Sequence, residues 1–291
     1  MNDYFNAQRA LVDRRLAAVL DRAVSPDPLR EPLQRALSTP GKRFRGVLTL
    51  AVGETWGVRP EKLLDAACAF EMIHTCSLVL DDLPAMDDAE LRRGLPALHR
   101  AVGEDLAILA AVALLNHAYG LIADNHAAVN PRRWPLRKVL DGVVQAVGWD
   151  GTIGGEAVDL HSEAASLDFG TLEYIHSRKT GALFGAAAVT GAMLANAPTG
   201  GIRAIEQYAK NLGLAFQITD DILDVTSTPE QLGKDVGKDE QKLTFVKLAG
   251  VEGARQLTEE LIDTSLDAIA FLGGAAKHLR EIASMVRDRV S

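Results

Sequence analysis

Cysteine is nearly absent. The 291-residue sequence has two, Cys68 and Cys76, eight positions apart in one apolar stretch. Such a pair makes neither a disulfide framework nor a metal-ligand spacing, and reads as two buried free thiols in a reducing compartment. Aromatic residues are scarce, at 5%. No alternating apolar run is bounded by hairpin turns, which excludes a core built of strands. No apolar run is expected to reach the ~18 uncharged residues of a membrane span, so no stable membrane insertion is expected. The start, MNDYFNAQRALVDRRLAAVLDRAV, is charged and lacks the apolar centre of a secretory signal. A basic excess is missing too. The net charge of −8 argues against general binding of nucleic acid or anionic lipid. A cytoplasmic location is the expectation.

What is present favours helices. Hydrophobic residues make up 47% of the chain and charged residues 24%, with alanine and leucine prominent. Apolar periodicity predicts helices over 3–22, 42–56, 60–80, 104–125, 134–148, 171–195, 202–225, 254–271 and 275–289. Breaks are expected at SPDPLREP (25–32), TPGK (39–42), NPRRWP (130–135), NAPTGG (196–201) and STPEQLGKDVGKDEQKL (227–243). None is a domain linker and no internal repeat is evident. The expected fold is all-α, a single domain over 1–291.

Two acidic clusters carry the chemistry. In FQITDDILD, Asp220 and Asp224 lie one turn apart on one helix face, with Asp221 adjacent and Gln217 near that face. Like charges so close oppose the helix unless a cation lies between them. A solvated acidic face explains one such cluster. A second, in DDLPAMDDAELRRG, weakens that explanation. There Asp81, Asp82 and Asp87 frame Pro84, which cannot continue a regular helix. The chain is expected to bulge and return Asp87 beside Asp81. Carboxylates without histidine or cysteine suit Mg²⁺, which binds through one or two carboxylates plus substrate phosphates.

Cations accompany the acids. Arg92 and Arg93 follow the first cluster. PGKRFRG opens a helix with Lys42 and Arg45 one turn apart and Arg43 between them. SRKTG supplies Lys179 and Thr180, and LGKD supplies Lys234. His74 shares the helical face of Asp81. Alone it reads as a core histidine. This balance of acid and base fits two diphosphates, one held through metal and the other by Arg and Lys directly.

With GKRFRG, DDLPAMDDAELRRG, GGEAVDL, KTGALF, GLAFQITDDILD and GKDVGKDEQKLT in this order, the chain resembles the trans-isoprenyl diphosphate synthases. Within them the pattern is most similar to bacterial carotenoid-type geranylgeranyl diphosphate synthases. The resemblance implies a helical bundle around a deep cavity, and a homodimer. It implies an allylic diphosphate bound by Asp81, Asp87 and Asp220 through about three Mg²⁺ ions, supported by Asp82, Asp221 and Asp224. Arg92, Lys179 and Lys234 would contact its phosphates. Isopentenyl diphosphate would be held by Lys42, Arg45, His74 and Arg93, with Arg43 near, while Thr180 and Gln217 lie beside the allylic cation.

Chain length has a physical reading. The growing tail is expected to run behind Asp81 along its helix, where a turn of about 5.4 Å matches one isoprene unit. Cys76 and Ser77, one turn back, are small. The tail passes them toward Met72, Ile73 and Tyr119, which favours a C20 product over C15 or longer ones. Tight helix packing is the alternative role for the two small residues. Three positions depart from the wider family. Glu156 stands where glutamine is usual, which adds a carboxylate near the metals. Leu80 and AAVALL (110–115) match the carotenoid-type subgroup. Two other readings fit less well. A terpene cyclase would close its second metal motif with a glutamate that DDILDVTST lacks. A non-catalytic partner subunit would have lost acids that are complete here. MVRDRVS is basic, and either closes over the site, as related tails do, or ends in solvent.

Overall fold

A computed structural model describes residues 3–22, 27–162, 169–226 and 244–289. Helices dominate, as the periodicity predicts. They are α1 (Asp3–Arg22), α2 (Asp27–Ser38), α3 (Phe44–Thr55), α4 (Leu64–Asp81), α5 (Leu98–Val102), α6 (Glu104–Val129) and α7 (Leu136–Val147). Then follow α8 (Thr152–His161), α9 (Phe169–His176), α10 (Ala182–Leu194), α11 (Thr199–Thr226), α12 (Phe245–Ala268) and α13 (Lys277–Arg287). A π-helical turn, Ser177–Gly181, joins α9 to α10.

Several expectations need correction. Residues 27–38 form α2, although 25–32 reads as a break. Pro28 sits in the first turn, where its missing N–H costs nothing. Pro32 costs one bond, which burial of Leu33, Ala36 and Leu37 offsets. The helix expected over 171–195 is interrupted by the π turn. The Gly154-Gly155 pair hides α8, because glycine is a poor helix former. A two-residue antiparallel ladder pairs β1 (Leu91–Arg92) with β2 (Leu95–Pro96), where no strand is expected. Finally, α6 is long and apolar enough to cross a membrane by length and composition, contrary to expectation. Instead it packs along α4, and leaves Ile108, Leu109 and Val112 exposed.

Two apolar cores flank the site. One joins α1, α2, α4, α6 and α7. The other joins α3, α10, α11, α12 and α13 around buried Phe184 and Tyr208. Between them α3 is buried on nearly every face. It meets α10 where glycine permits close approach: a Cβ on Gly191 would lie 2.5 Å from the Thr49 carbonyl oxygen. The Thr49 hydroxyl donates across the same contact to the Ala187 carbonyl, at 3.1 Å. Both cysteines are buried and unpaired.

Candidate active site

A cavity of about 960 Å³ opens between these cores, walled by α3, α4, α8, the π turn and α11. Of the first acidic cluster, Asp81 lines it at the end of α4, and Asp87 does not. The helix stops at Asp81, and the chain turns back through Pro84. The Asp87 amide donates to the Asp81 carbonyl at 2.9 Å, and the Ala89 amide donates to that of Asp82 at 3.1 Å. The predicted bulge is thus present, with Asp87 beside Asp81. Burial lifts the Asp81 carboxyl to about 7, helped by the neighbouring charges of Glu156 and Asp87. A carboxyl held this way favours a cation or a proton as partner.

Asp82 does not share that role. It is 2% exposed and points to the other side of the helix end. There it accepts from Arg92, whose Nε lies 3.0 Å from Oδ1 and whose Nη2 reaches the same oxygen. Neither residue lines the cavity; both border a smaller one beneath the Leu91–Pro96 hairpin. The expected roles of Asp82 with the metal and of Arg92 with phosphate are therefore not placed in the central cavity. Consecutive residues at a helix end point about 100° apart, and the closing pair takes the buried direction.

The second cluster divides likewise. Asp220 lines the cavity, while Asp221 is buried away from it. The Gln217 amide donates to Asp221 Oδ1 at 3.0 Å, and the Phe245 amide to Oδ2 at 3.2 Å. Burial still lifts the Asp221 carboxyl to about 7. Thr180 donates to Gln217 Oε1 at 3.1 Å, so Thr180, Gln217 and Asp221 form one chain from cavity to core. Asp224, one turn beyond Asp220, does not line the cavity.

Lys179 rises from the π turn, a helix distortion common at functional sites. It bridges Glu156 at 2.6 Å and Asp159 at 2.7 Å. The two carboxylates raise its pKa against the opposing effect of burial. Gly155 lets α8 approach the π turn closely, since a Cβ there would lie 2.5 Å from the Lys179 backbone nitrogen. The added carboxylate of Glu156 is thus answered within the protein by Lys179.

Opposite lies a basic corner. Lys42, Arg45, His74 and Arg93 all line the cavity. Arg45 is buried over the Phe184 ring, 4.6 Å from its centroid, and its Nε has no hydrogen-bond partner among the described residues. Burial brings its pKa down to about 10. The Gly46 amide donates to the buried Glu71 at 2.8 Å, which ties the first turn of α3 to α4. Burial holds His74 neutral, and the guanidinium groups of Arg45 and Arg93 reinforce this. Arg43 lines the cavity, yet its head is already used: it donates to Asp13 at 2.8 Å and to the Leu37 carbonyl at 2.7 Å. It holds a left-handed backbone (φ 50°) in place rather than offering a free contact. Arg9, from α1, also lines this corner; no motif flags it, and it stands at the edge of the buried stripe of α1, beside Gln8.

Behind Asp81, the cavity wall is Ser77, Cys76 and Ile73. Met72 is 1% exposed and belongs to the core. Tyr119 packs against that core and does not line the cavity. Lys234 lies outside the described residues. From beyond α13, Arg289 reaches Asp220.

The donor set fits Mg²⁺. Its groups are hard oxygens, and no three acid, His or Cys side chains converge to hold an ion alone among the described residues. Binding through few carboxylates plus phosphate has this pattern.

The sequence pattern of the family described as polyprenyl synthetase matches residues 26–270. The geranylgeranyl diphosphate synthase of Cyanophora paradoxa is 41% identical over 289 residues, covering 98% of this chain and 95% of that one. The farnesyl diphosphate synthase of Geobacillus stearothermophilus is 38% identical over 258 residues, covering 88% and 86%. The geranyltransferase of Helicobacter pylori, solved with magnesium and isoprenyl diphosphate, superimposes with a TM-score of 0.80. It is 26% identical and covers 99% of this chain and 97% of that one. The chain belongs to the polyprenyl synthetase family, and its class of activity is that of a trans-prenyltransferase.

Proposed function

We propose that the chain condenses isopentenyl diphosphate with allylic diphosphates, head to tail and all-trans, and stops at geranylgeranyl diphosphate. Asp81, Asp87 and Asp220 would hold about three Mg²⁺ ions with the allylic diphosphate. Bound there, Mg²⁺ supplies the positive charge that a departing diphosphate needs. Lys179 adds a cation on the same side. The Thr180 hydroxyl donates its hydrogen bond to Gln217 Oε1, so its oxygen lone pairs stay available to positive charge developing on the allylic carbon. Lys42, Arg45 and Arg93 would take isopentenyl diphosphate. Its double bond attacks the allylic carbon, and the proton then released passes to the departed diphosphate. His74, held neutral, offers a hydrogen bond without adding charge.

The observation that carries the C20 reading is the wall behind Asp81. Ser77, Cys76 and Ile73 line it, and Leu115, Val147 and Ile153 continue it. The aromatic rings of the cavity, Phe44 and Phe216, stand at the basic corner, near each other at 5.0 Å. Nothing aromatic blocks a tail among the described residues of that wall. The relatives include both C20 and C15 synthases, so this wall is what favours C20.

A homodimer is part of the proposal. Ile108, Leu109 and Val112 on α6 and Val144 on α7 are exposed apolar groups, and a second copy would cover them. Two buried unpaired thiols support a cytoplasmic location.

The test is direct. Purified protein is incubated with Mg²⁺, isopentenyl diphosphate and each allylic starter, and products are sized by mass spectrometry. A C20 product, lost on adding chelator, is expected. A C15 endpoint would contradict the chain length, and no elongation with any starter would contradict the activity.

A further inference from the structure

Helix α1 packs by a stripe of Phe5, Val12, Leu16 and Val19, each 7% exposed or less. The same face runs on through Gln8, 8% exposed, and Arg9 stands beside it at the edge of the stripe, four after Phe5 and three before Val12. A charged residue beside an apolar seam ordinarily finds a carboxylate or turns to solvent. Arg9 does neither fully. It is half-buried, and among the described residues its guanidinium has no hydrogen bond or ion pair. The obvious partner, Asp13, is one turn away but is held by Arg43 at 2.8 Å. Asp65 is likewise held by Arg15 at 2.6 Å.

The packing of α1 fixes where this charge lies. Phe5 is seated against Phe44, with ring centroids 5.6 Å apart. The next turn of that face therefore meets the residues just before α3. Arg9 lines the central cavity there, beside Pro40, Gly41 and Arg43. It also lines the adjoining hollow formed with Pro40, Gly41 and Leu37. Arg93 borders the same turn from the other side, donating to the Pro40 carbonyl at 2.9 Å. Its guanidinium fills the space above Gly41, where a Cβ would come within 2.6 Å of Nη1.

We propose that Arg9 is a further substrate-binding residue, whose guanidinium takes a phosphate oxygen of isopentenyl diphosphate at the corner of Lys42, Arg45 and Arg93. This rests on the assignment of isopentenyl diphosphate to that corner. The corner gathers several cations and a neutral histidine around a cavity, and an anion of high charge is what such a site accepts. Arg9 brings a cation from an element that none of the sequence motifs includes.

The test uses isopentenyl diphosphate binding to the metal-free enzyme in chelator, by calorimetry, with steady-state kinetics alongside. Arg9→Ala is expected to weaken this binding about tenfold, the loss of one charge-assisted contact open to solvent. KM for isopentenyl diphosphate rises in step, while KM for the allylic substrate and the melting temperature hold. Arg9→Lys recovers most of the affinity. Arg14→Ala, which removes an exposed charge from the same helix, leaves it unchanged. Unaltered binding in Arg9→Ala overturns the proposal. So does an equal loss in Arg14→Ala, or an equal rise in allylic KM. If Arg93→Ala binds isopentenyl diphosphate as tightly as the wild type, the corner itself is misassigned, and the role of Arg9 falls with it.

Discussion

The guanidinium of Arg289 lies 2.5 Å from the carboxylate of Asp220, with its face on the Phe216 ring at 4.6 Å. A cation of the protein thus sits on an acid expected to bind Mg²⁺. The two cations compete for one carboxylate. Because the pair is partly open to solvent, the competition is modest. Arg289→Ala should lower the Mg²⁺ concentration for half-maximal activity about two- to fivefold. Magnesium titrations of both proteins check this, and superimposed curves would show that Arg289 leaves Asp220 freely.

Asp81 and Asp82 are neighbours with opposite duties. Asp82 closes a buried pair with Arg92, and removing one partner strands the other. Asp82→Ala should cost about 3 kcal/mol of stability, read as a clear fall in melting temperature. Asp81→Asn should cost no stability, and should gain it relative to the wild type as pH rises from about 4 to 7, while lowering kcat by about 10²-fold or more. Equal stability losses in both variants would count against this division.

Proton uptake gives a third prediction. Burial holds Asp81 at about 7, helped by Glu156 and Asp87, and burial holds Asp221 at about 7. The unfolded chain loses these protons near pH 4. Between about pH 4 and 7 the folded protein binds more protons, so these groups lower its stability as pH rises through that window. Magnesium needs the ionised form of Asp81. Its apparent affinity should therefore fall as pH drops below about 7, by up to about tenfold per unit. Glu156→Gln removes a repelling charge and should move this transition to lower pH. A transition at the same pH in both proteins would show that Lys179 neutralises Glu156 completely.

Much of this was legible in the residues, for identifiable reasons. Pro84 forced the turn that returns Asp87 to Asp81, because proline cannot donate the next helical bond. Long periodic helices such as α4 and α11 announced themselves through burial of one face. Local rules misread α2, where proline signals a break, and passed over α8, where glycine weakens the helical pattern, but tertiary contact decides. The split between Asp81 and Asp82 was hidden because adjacent letters do not tell which direction is buried. Arg43 looked like a ligand from its motif, yet its partner Asp13 lies thirty residues earlier. Such pairings depend on how helices dock, which no local pattern contains. The expected role of Lys234 falls outside the described residues.

The most direct test concerns Ser77, which lines the cavity one turn before Asp81. A phenylalanine there would put a ring across the path of the growing tail, about 5.4 Å behind the acid. Product chain length from wild type and Ser77→Phe, measured side by side by mass spectrometry, decides the matter. The open wall predicts C20 from the wild type and C15 from the variant, at comparable rates of the first condensation. C20 from both would mean that the tail takes another route, and the assignment of this wall would be wrong.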